Sequence, residues 1–434
     1  MANNLAEEHL SVKGMPDILP EETVWWIYIE KILLNLMCQY GYQQIRLPLL
    51  EKTALFKRAV GETTDIVEKE MFNFFDEKNR SLSLRPEGTA GCVRSCIEHG
   101  LLRNVPQRLW YLGPMFRYEA PQKGRYRQFN QLGVECFGAV GWEIEVEQIA
   151  MFSRLWRLLG LEQAVQLEIN NLGTADVRKN YTKDLVTYFT KHQSQLDLDS
   201  QRRLHTNPLR ILDSKNPEMR TIIHGAPKLY DYLDQESLTS YQECKQQLLL
   251  LGINFIENPN IVRGLDYYTG MVWVWTSQSL GAQSDIGGGG RYDGLVEQLG
   301  GNPISSVGLA IGIERVMILL KQHNSTLNIA NNLDGYLICV GPKALSQKFV
   351  IAEKIRDICP NFSFAVDLLG GNFKNQFKRA DKSGAKVALI LGEDEINTNS
   401  ITVKYLRENL INEVDQKQQT TMRVEDLVNV LVAN

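Results

Sequence analysis

The chain has 434 residues, with 47 lysines and arginines against 51 aspartates and glutamates, a formal charge of −4. Its summed field is therefore weakly repulsive to phosphate, which excludes a globally basic nucleic-acid coat protein. Its 44% hydrophobic and 23% charged residues exclude a disordered polymer and fit about two or three globular domains.

No apolar run approaches the roughly 18 residues that span a bilayer, and the stretch Met1 to Gly14 carries Glu7, Glu8 and Lys13 with no apolar core. A cytoplasmic protein with no membrane contact is expected. Seven cysteines without a CxxC pair read as reduced thiols. Cys92 and Cys96 share a helical face, but no histidine stands at ligand spacing, so buried thiols are expected there and no metal site.

From Glu21 to Tyr40, Trp25, Ile29, Ile32, Leu33 and Leu36 form the apolar stripe of a helix ended by Gly41. A strand over Gln44–Leu49 should lie at an edge or subunit boundary, because Pro48 has no amide to donate. Arg108–Glu119 and Arg127–Gly138 read as two strands of an antiparallel hairpin around the loop 120–126. Residues 173–260 turn mostly helical with Asn-Pro breaks and look like an insertion. Strand character returns at Asp266–Trp275, and the four glycines 287–290 read as bare backbone flooring a site. A strand and helix follow over Ser306–Leu320, then an Asn-rich linker, Gln322–Leu333. After it, strands at 335–340, 363–368 and 386–391 alternate with helices at 346–359 and 372–382, the pattern of a small α/β domain.

Neither a P-loop nor a GxGxxG turn is present, so any nucleotide is held by another device. In the hairpin, Arg117 and Glu119 are two residues apart and share a face. Phe129, Gln131 and Glu135 share one face of the returning strand. A face carrying an aromatic plate, an amide and a carboxylate suits a binding floor better than a core. From Arg117 to Arg127 the balance is four basic residues to one acidic, net +3. In the last domain Lys374, Lys378 and Lys382 recur on one helical face, and Gly370–Ala388 is net +4. Such a stripe serves either as a solvated face or as a phosphate-binding one.

These residues resemble the histidyl-tRNA synthetases of the bacterial type, which are class II aminoacyl-tRNA synthetases. The class II motifs correspond to the helix and strand ending in Pro48, to Phe116-Arg117-Tyr118-Glu119 and to Gly308-Leu309-Ala310-Ile311-Gly312-Ile313-Glu314-Arg315. More specific are Leu84-Arg85-Pro86-Glu87-Gly88-Thr89, the block Gln122–Gly133, Val262-Arg263-Gly264-Leu265-Asp266-Tyr267-Tyr268 and Gly289-Gly290-Arg291-Tyr292-Asp293-Gly294-Leu295. The class I signatures are absent. The resemblance implies an α+β catalytic core over 1–329, an antiparallel sheet flanked by helices with the insertion at about 173–260. It also implies an α/β anticodon-binding domain over 334–434.

It implies further that Glu87, Thr89 and Gln131 bind the histidine ammonium, that Arg117 and Arg263 hold its carboxylate, and that Glu135 and Tyr268 fix the imidazole with Tyr292 close by. Tyr267, next to Tyr268, belongs to that neighbourhood but faces the other way as packing. Adenine would stack between Phe129 and Arg315, and Arg117 would bridge the α-phosphate and the carboxylate. Arg125 and Arg315 would hold the outer phosphates, with Glu119 beside them and Mg²⁺ on the pyrophosphate. Arg117, Arg263 and Arg315 are then the catalytic groups, Arg263 acting as a fixed cation. The partners implied are L-histidine, ATP, histidine tRNA and a second copy of the chain. Three departures stand out: Lys13-Gly14 replaces the family's usual Arg-Gly, position 120 is Ala, and the segment Ile411–Gln419 fits the family pattern poorly. The rival is a non-catalytic histidine sensor, the regulatory subunit of ATP phosphoribosyltransferase. Such paralogues lose catalytic arginines and the last domain.

Overall fold

The computed structural model describes residues 10–212, 214, 216–261, 264–281, 284–323, 333–407 and 419–428. Arg263, most of the linker and residues 411–418 lie outside them. The chain forms two compact units, 1–328 and 329–434.

The strands of the first unit are β1 Gln43–Gln44, β2 Leu50–Lys52, β3 Asn73–Phe75, β4 Ser81–Leu84, β5 Gln107–Phe116, β6 Gln128–Phe137, β7 Gln166–Asn171, β8 Ile256–Glu257, β9 Thr269–Thr276, β10 Asp285–Arg291 and β11 Ser306–Gly312. Eight make one sheet in the order β1-β5-β6-β11-β10-β9-β7-β8, and β2-β4-β3 make a small second sheet. The large sheet is antiparallel except at its two edges, where β1 runs parallel to β5 and β8 to β7. The hairpin register runs from Gln107 opposite Phe137 to Phe116 opposite Gln128, so the hairpin lies where the sequence placed it, but β5 stops at Phe116 and Arg117 and Glu119, read as its last residues, lie in the loop beyond it.

Alternation divides the sheet into two faces. Leu132, Val134 and Cys136 of β6, Trp273 and Trp275 of β9, and Leu309 and Ile311 of β11 share one core. That core includes Ile29, Leu33, Leu36 and Met37 of the helix Pro20–Gln39, together with residues of the helices Glu143–Leu158, Gln235–Leu250 and Ile313–His323. The opposite parity, Tyr111 of β5, Phe137 of β6 and Val272 and Val274 of β9, belongs to a second core. The helices Thr89–Glu98 and Ala175–Lys191 pack there. Gln131, Gly133 and Glu135 are therefore turned to this second face. Among the helices of the stretch read as an insertion, Gln235–Leu250 buries Tyr241, Cys244 and Leu248 in the first core.

The edge strand is shorter than the sequence suggests. Past Gln44 the carbonyls of Leu47 and Pro48 accept from the Arg85 guanidinium at 2.9 and 3.4 Å, and Leu49 O accepts from Arg85 N at 2.9 Å. A buried arginine thus takes the place of a neighbouring strand. The glycine run lies inside β10, between β9 and β11. A Cβ on Gly287 or Gly289 would collide with the carbonyl oxygens of Ala310 or Gly308, so only glycine lets the strands approach this closely.

The second unit has strands β12 Gly335–Cys339, β13 Phe364–Val366, β14 Val387–Leu391, β15 Ser400–Tyr405 and β16 Gln419–Arg423. Their order is β13-β12-β14-β15-β16, the first three parallel and the last two antiparallel. The helix Phe373–Lys382 is capped by Asn372, and Ala380 and Gln376 are its buried residues. Arg379 and Lys386 do not contribute to an open basic stripe. Arg379 forks onto the buried Asp367 at 2.7 and 2.9 Å, and Lys386 pairs with Asp334 at 2.8 Å.

Candidate active site

The site begins where the helix Thr89–Glu98 starts. Glu87 accepts from the amides of Thr89 and Ala90 at 2.7 and 2.9 Å, and the positive end of the helix dipole favours an anion there. Burial nevertheless pushes its carboxyl above the ordinary value. Glu135, 1% exposed, stands behind it on β6. Its Oε1 accepts from Thr89 Oγ1 at 2.8 Å and from Tyr111 Oη at 3.0 Å, and its Oε2 from Tyr292 Oη at 2.6 Å. Burial pushes its pKa up to about 8 against the pull of those hydroxyls. Burial also raises the phenols of Tyr111, Tyr267 and Tyr292, so all three stay neutral donors.

One cavity of about 220 Å³ is lined by Glu87, Thr89, Gln131, Tyr267 and Tyr268 and also by Arg117, Glu119, Arg125, Phe129 and Arg315. Most of the predicted positions thus come together. Glu135 and Tyr292 lie one layer deeper, reached through Thr89 and the neighbouring tyrosines, whose rings stand 4.7 Å (Tyr267 to Tyr268) and 5.5 Å (Tyr267 to Tyr292) apart. Tyr267 reaches the cavity as well as packing. Gln131 Oε1 is buried with no hydrogen-bond partner among the described residues, an acceptor matched to an incoming N–H.

The arginines gather around Glu119. Arg125 Nε is 2.8 Å and Arg117 Nη1 3.8 Å from its carboxylate. Arg117 Nε donates to Pro86 O at 2.9 Å, and its guanidinium lies over the Phe129 ring at 5.3 Å. The face of Phe129 expected to stack on a base is thus shared with Arg117. Arg315 donates to Gly124 O at 3.4 Å and to Asp285 O. Burial and the nearby Arg125 charge push it below the usual guanidinium value. Arg117, Arg125 and Arg315 share the cavity wall with Glu87, Glu119, Asp285 and Glu314, so the cleft offers local guanidinium grips for phosphate oxygens and no net positive field. Arg127 lies over Tyr118 at 3.8 Å, and its amide donates to Gly14 O at 2.7 Å, so Lys13-Gly14 is seated on the hairpin loop.

Three further residues shape the site. Tyr111 is wedged between Gly88 and Gly133, where a Cβ on either would strike its ring. That pair of glycines facing an aromatic strand position was the available signal. Glu314 accepts from Asn130 N with both oxygens, at 2.8 and 3.0 Å, and locks the helix carrying Arg315 to β6. Arg291 forks onto the buried Glu145 with two 2.8 Å bonds and so anchors the end of β10 before Tyr292. Cys92 and Cys96 are buried free thiols.

The model of the family described as histidyl-tRNA synthetase matches residues 14–316, and that of the anticodon binding domain matches residues 336–434. The histidine–tRNA ligases of Hydrogenovibrio crunogenus and Legionella pneumophila are each 52% identical over 398 residues, 92% of this chain and 93% of theirs. The crystal structure of apo histidyl-tRNA synthetase from S. aureus superposes with a TM-score of 0.79 at 36% identity, covering 97% of this chain and 99% of that one.

Proposed function

Since the chain belongs to the histidyl-tRNA synthetase family, we propose that it ligates L-histidine to histidine tRNA through a histidyl-adenylate. In the first step a carboxylate oxygen of histidine attacks the α-phosphorus of ATP and pyrophosphate leaves. In the second a ribose hydroxyl of the 3′-terminal adenosine attacks the activated carbonyl carbon and AMP leaves. The observation that carries this reading is the single cavity joining a nest of buried acceptors and phenols to three arginines.

Gln131 and Glu87 fit the ammonium, which needs acceptors on three sides. Glu135, oriented by Tyr292, Thr89 and Tyr111, fits one ring nitrogen of the imidazole once Thr89 yields, and Tyr268 the other. A carboxylate on one side and a phenol on the other select one tautomer. Such a site rejects analogues lacking those groups by roughly 10⁴ to 10⁵. Arg117 fits the bridge between histidine carboxylate and α-phosphate. Arg125 and Arg315 fit the outer phosphates, and Phe129 with Arg315 the adenine ring. Arg263, outside the described residues, takes its role from the resemblance alone, as a cation opposing the charge that grows on the α-phosphate. Mg²⁺ enters as part of the nucleotide substrate, and Glu119 and Glu314 are the carboxylates on the cavity wall that suit it.

The second unit provides Lys374, Lys378 and Lys382, which have no ion-pair partner among the described residues, for the anticodon arm. A homodimer is supported by the exposed apolar side chains of Ile27, Leu34, Leu49, Leu50 and Phe75 on the first helix and the small sheet. No helix among the described residues is long and apolar enough to cross a membrane, which accords with work in the cytoplasm. The sensor reading is disfavoured because Arg117, Arg125, Arg263 and Arg315 are all retained. Histidine-dependent exchange of labelled pyrophosphate into ATP tests the proposal. No exchange by purified, folded protein would refute it.

A further inference from the structure

Tyr268 belongs to the cavity wall, yet what holds its backbone comes from outside the sheet. At the end of β7, Leu172 N donates to Gly270 O at 2.7 Å and Gly270 N donates to Gly173 O at 2.9 Å. The chain therefore leaves the sheet beside the residues that follow Tyr268. Gly173, at φ +63°, makes the turn, and Thr174 caps the helix Ala175–Lys191 by accepting from Val177 N. Four residues after that cap, Arg178 reaches back over the pocket segment, and its Nη1 donates to the carbonyl of Tyr268 at 2.6 Å. Its Nε is buried with no hydrogen-bond partner among the described residues. Two bonds at Asp266 hold the same segment from elsewhere: Asp266 N donates to Val60 O at 3.2 Å, and Asn207 Nδ2 donates to Asp266 Oδ1 at 3.0 Å.

A guanidinium is costly to withdraw from water, and half-burying one to reach a single main-chain oxygen needs a compensating gain. The Tyr268 carbonyl is attached to the peptide whose orientation sets where the phenol points.

We propose that Arg178 is a positioning residue for histidine selection. The first helix of the 173–260 stretch fixes the Tyr268 peptide and hence the phenol that meets the imidazole, while touching neither substrate. The inference rests on the assignment of the cavity to histidine. It adds that the helical segment takes part in amino-acid choice.

The test is pyrophosphate exchange by the full chain and its Arg178→Ala, Arg178→Lys and Arg178→Gln variants, with histidine and with histidine methylated on one ring nitrogen. Arg178→Ala should raise the KM for histidine roughly 10-fold, the worth of one charge-assisted hydrogen bond. It should also narrow the preference for histidine over the methylated analogue and leave the KM for ATP as it was. Arg178→Lys keeps a cationic donor and should recover part of the selectivity. If Arg178→Ala fails to fold, Arg178→Gln, which keeps length and one donor, decides by the same parameters. An unchanged histidine KM and preference would overturn the proposal. So would equal rises in the KM of histidine and ATP with lysine no better than alanine, the mark of a general structural role. Absence of histidine-dependent exchange in the unmodified protein would instead strike at the assignment of the cavity.

Discussion

Tyr292 donates its hydroxyl to Glu135 Oε2 at 2.6 Å while both groups are fully buried. Burial raises the phenol well above its ordinary value, so Tyr292 keeps its proton and remains a donor to Glu135 when that carboxyl ionises. Glu135→Gln would set an amide where the phenol and an imidazole N–H expect acceptors. The KM for histidine should rise at least 10-fold, because a hydrogen bond to a charged group is worth about 1.5–3 kcal/mol, with a much smaller change for ATP. Steady-state exchange kinetics at varied histidine decide it, and an unchanged KM would contradict the imidazole assignment.

The same carboxyl gives a pH dependence with a definite sign. With a folded-state value of about 8, Glu135 holds its proton through neutrality, and an imidazole N–H needs the ionised form as acceptor. Histidine affinity should therefore improve as pH rises from about 6 toward 8, with release of a proton on binding, measurable by calorimetry in buffers of different ionisation enthalpy. In stability the sign is reversed. A carboxyl raised above its unfolded value contributes most at low pH, and that contribution is lost as pH climbs from the unfolded value toward about 8. Glu135→Gln should flatten both profiles.

Gly133→Ala tests the wedge around Tyr111. The new methyl would point into a ring already confined by Gly88 on its other side, and overpacking of this kind costs about 1–3 kcal/mol. A lower melting temperature should accompany a higher histidine KM, since the displaced ring carries the hydroxyl that orients Glu135. A variant with native melting and native KM would show that the ring shifts freely.

Arg315→Ala removes one of the three cations of the cleft and should lower the exchange rate by roughly 10² to 10³, as loss of a preorganised charge-stabilising donor does. Stopped-flow measurement of adenylate formation separates this from slow product release.

Replacing Lys374, Lys378 and Lys382 together by alanine should weaken tRNA binding and reduce the salt slope by up to about 3, roughly one for each phosphate no longer neutralised. Pyrophosphate exchange should be unaffected. Replacing Arg379 should instead lower the melting temperature of the second unit, because it would strand the buried Asp367.

Long periodic elements were legible: the first helix, the hairpin with its faces, the final strand and helix of the first unit and most of the second unit follow from spacing alone. The small sheet β2-β4-β3 and the strands β15 and β16 were not, since short strands on a mixed surface carry little period-2 signal. β1 falls short of its expectation because Arg85 takes up the carbonyls that a partner strand would have used. Phe129, Gln131 and Glu135 were legible as one face, but parity says nothing of depth. The structure alone separates the residues on the cavity wall from Glu135 and Tyr292 behind it. Tyr111 was missed because an inward tyrosine in a strand looks like any other core residue, and its one signal in the hairpin register was a glycine, Gly133, opposite it. Arg178 was hidden because its target is a main-chain oxygen about ninety residues away, for which no side-chain pattern exists.

The glycine run 287–290 within β10 has an implication for redesign. A pocket can be enlarged by trimming its walls, but Gly287 and Gly288 of its wall have nothing left to trim. Gly287 cannot be built upon without pushing β11 away. Variants accepting bulkier amino acids would have to come from side chains elsewhere on the wall, such as Tyr267, Tyr268 and Gln131, so at Gly287 the repertoire of this site is bounded by a surface that substitution cannot adjust in either direction.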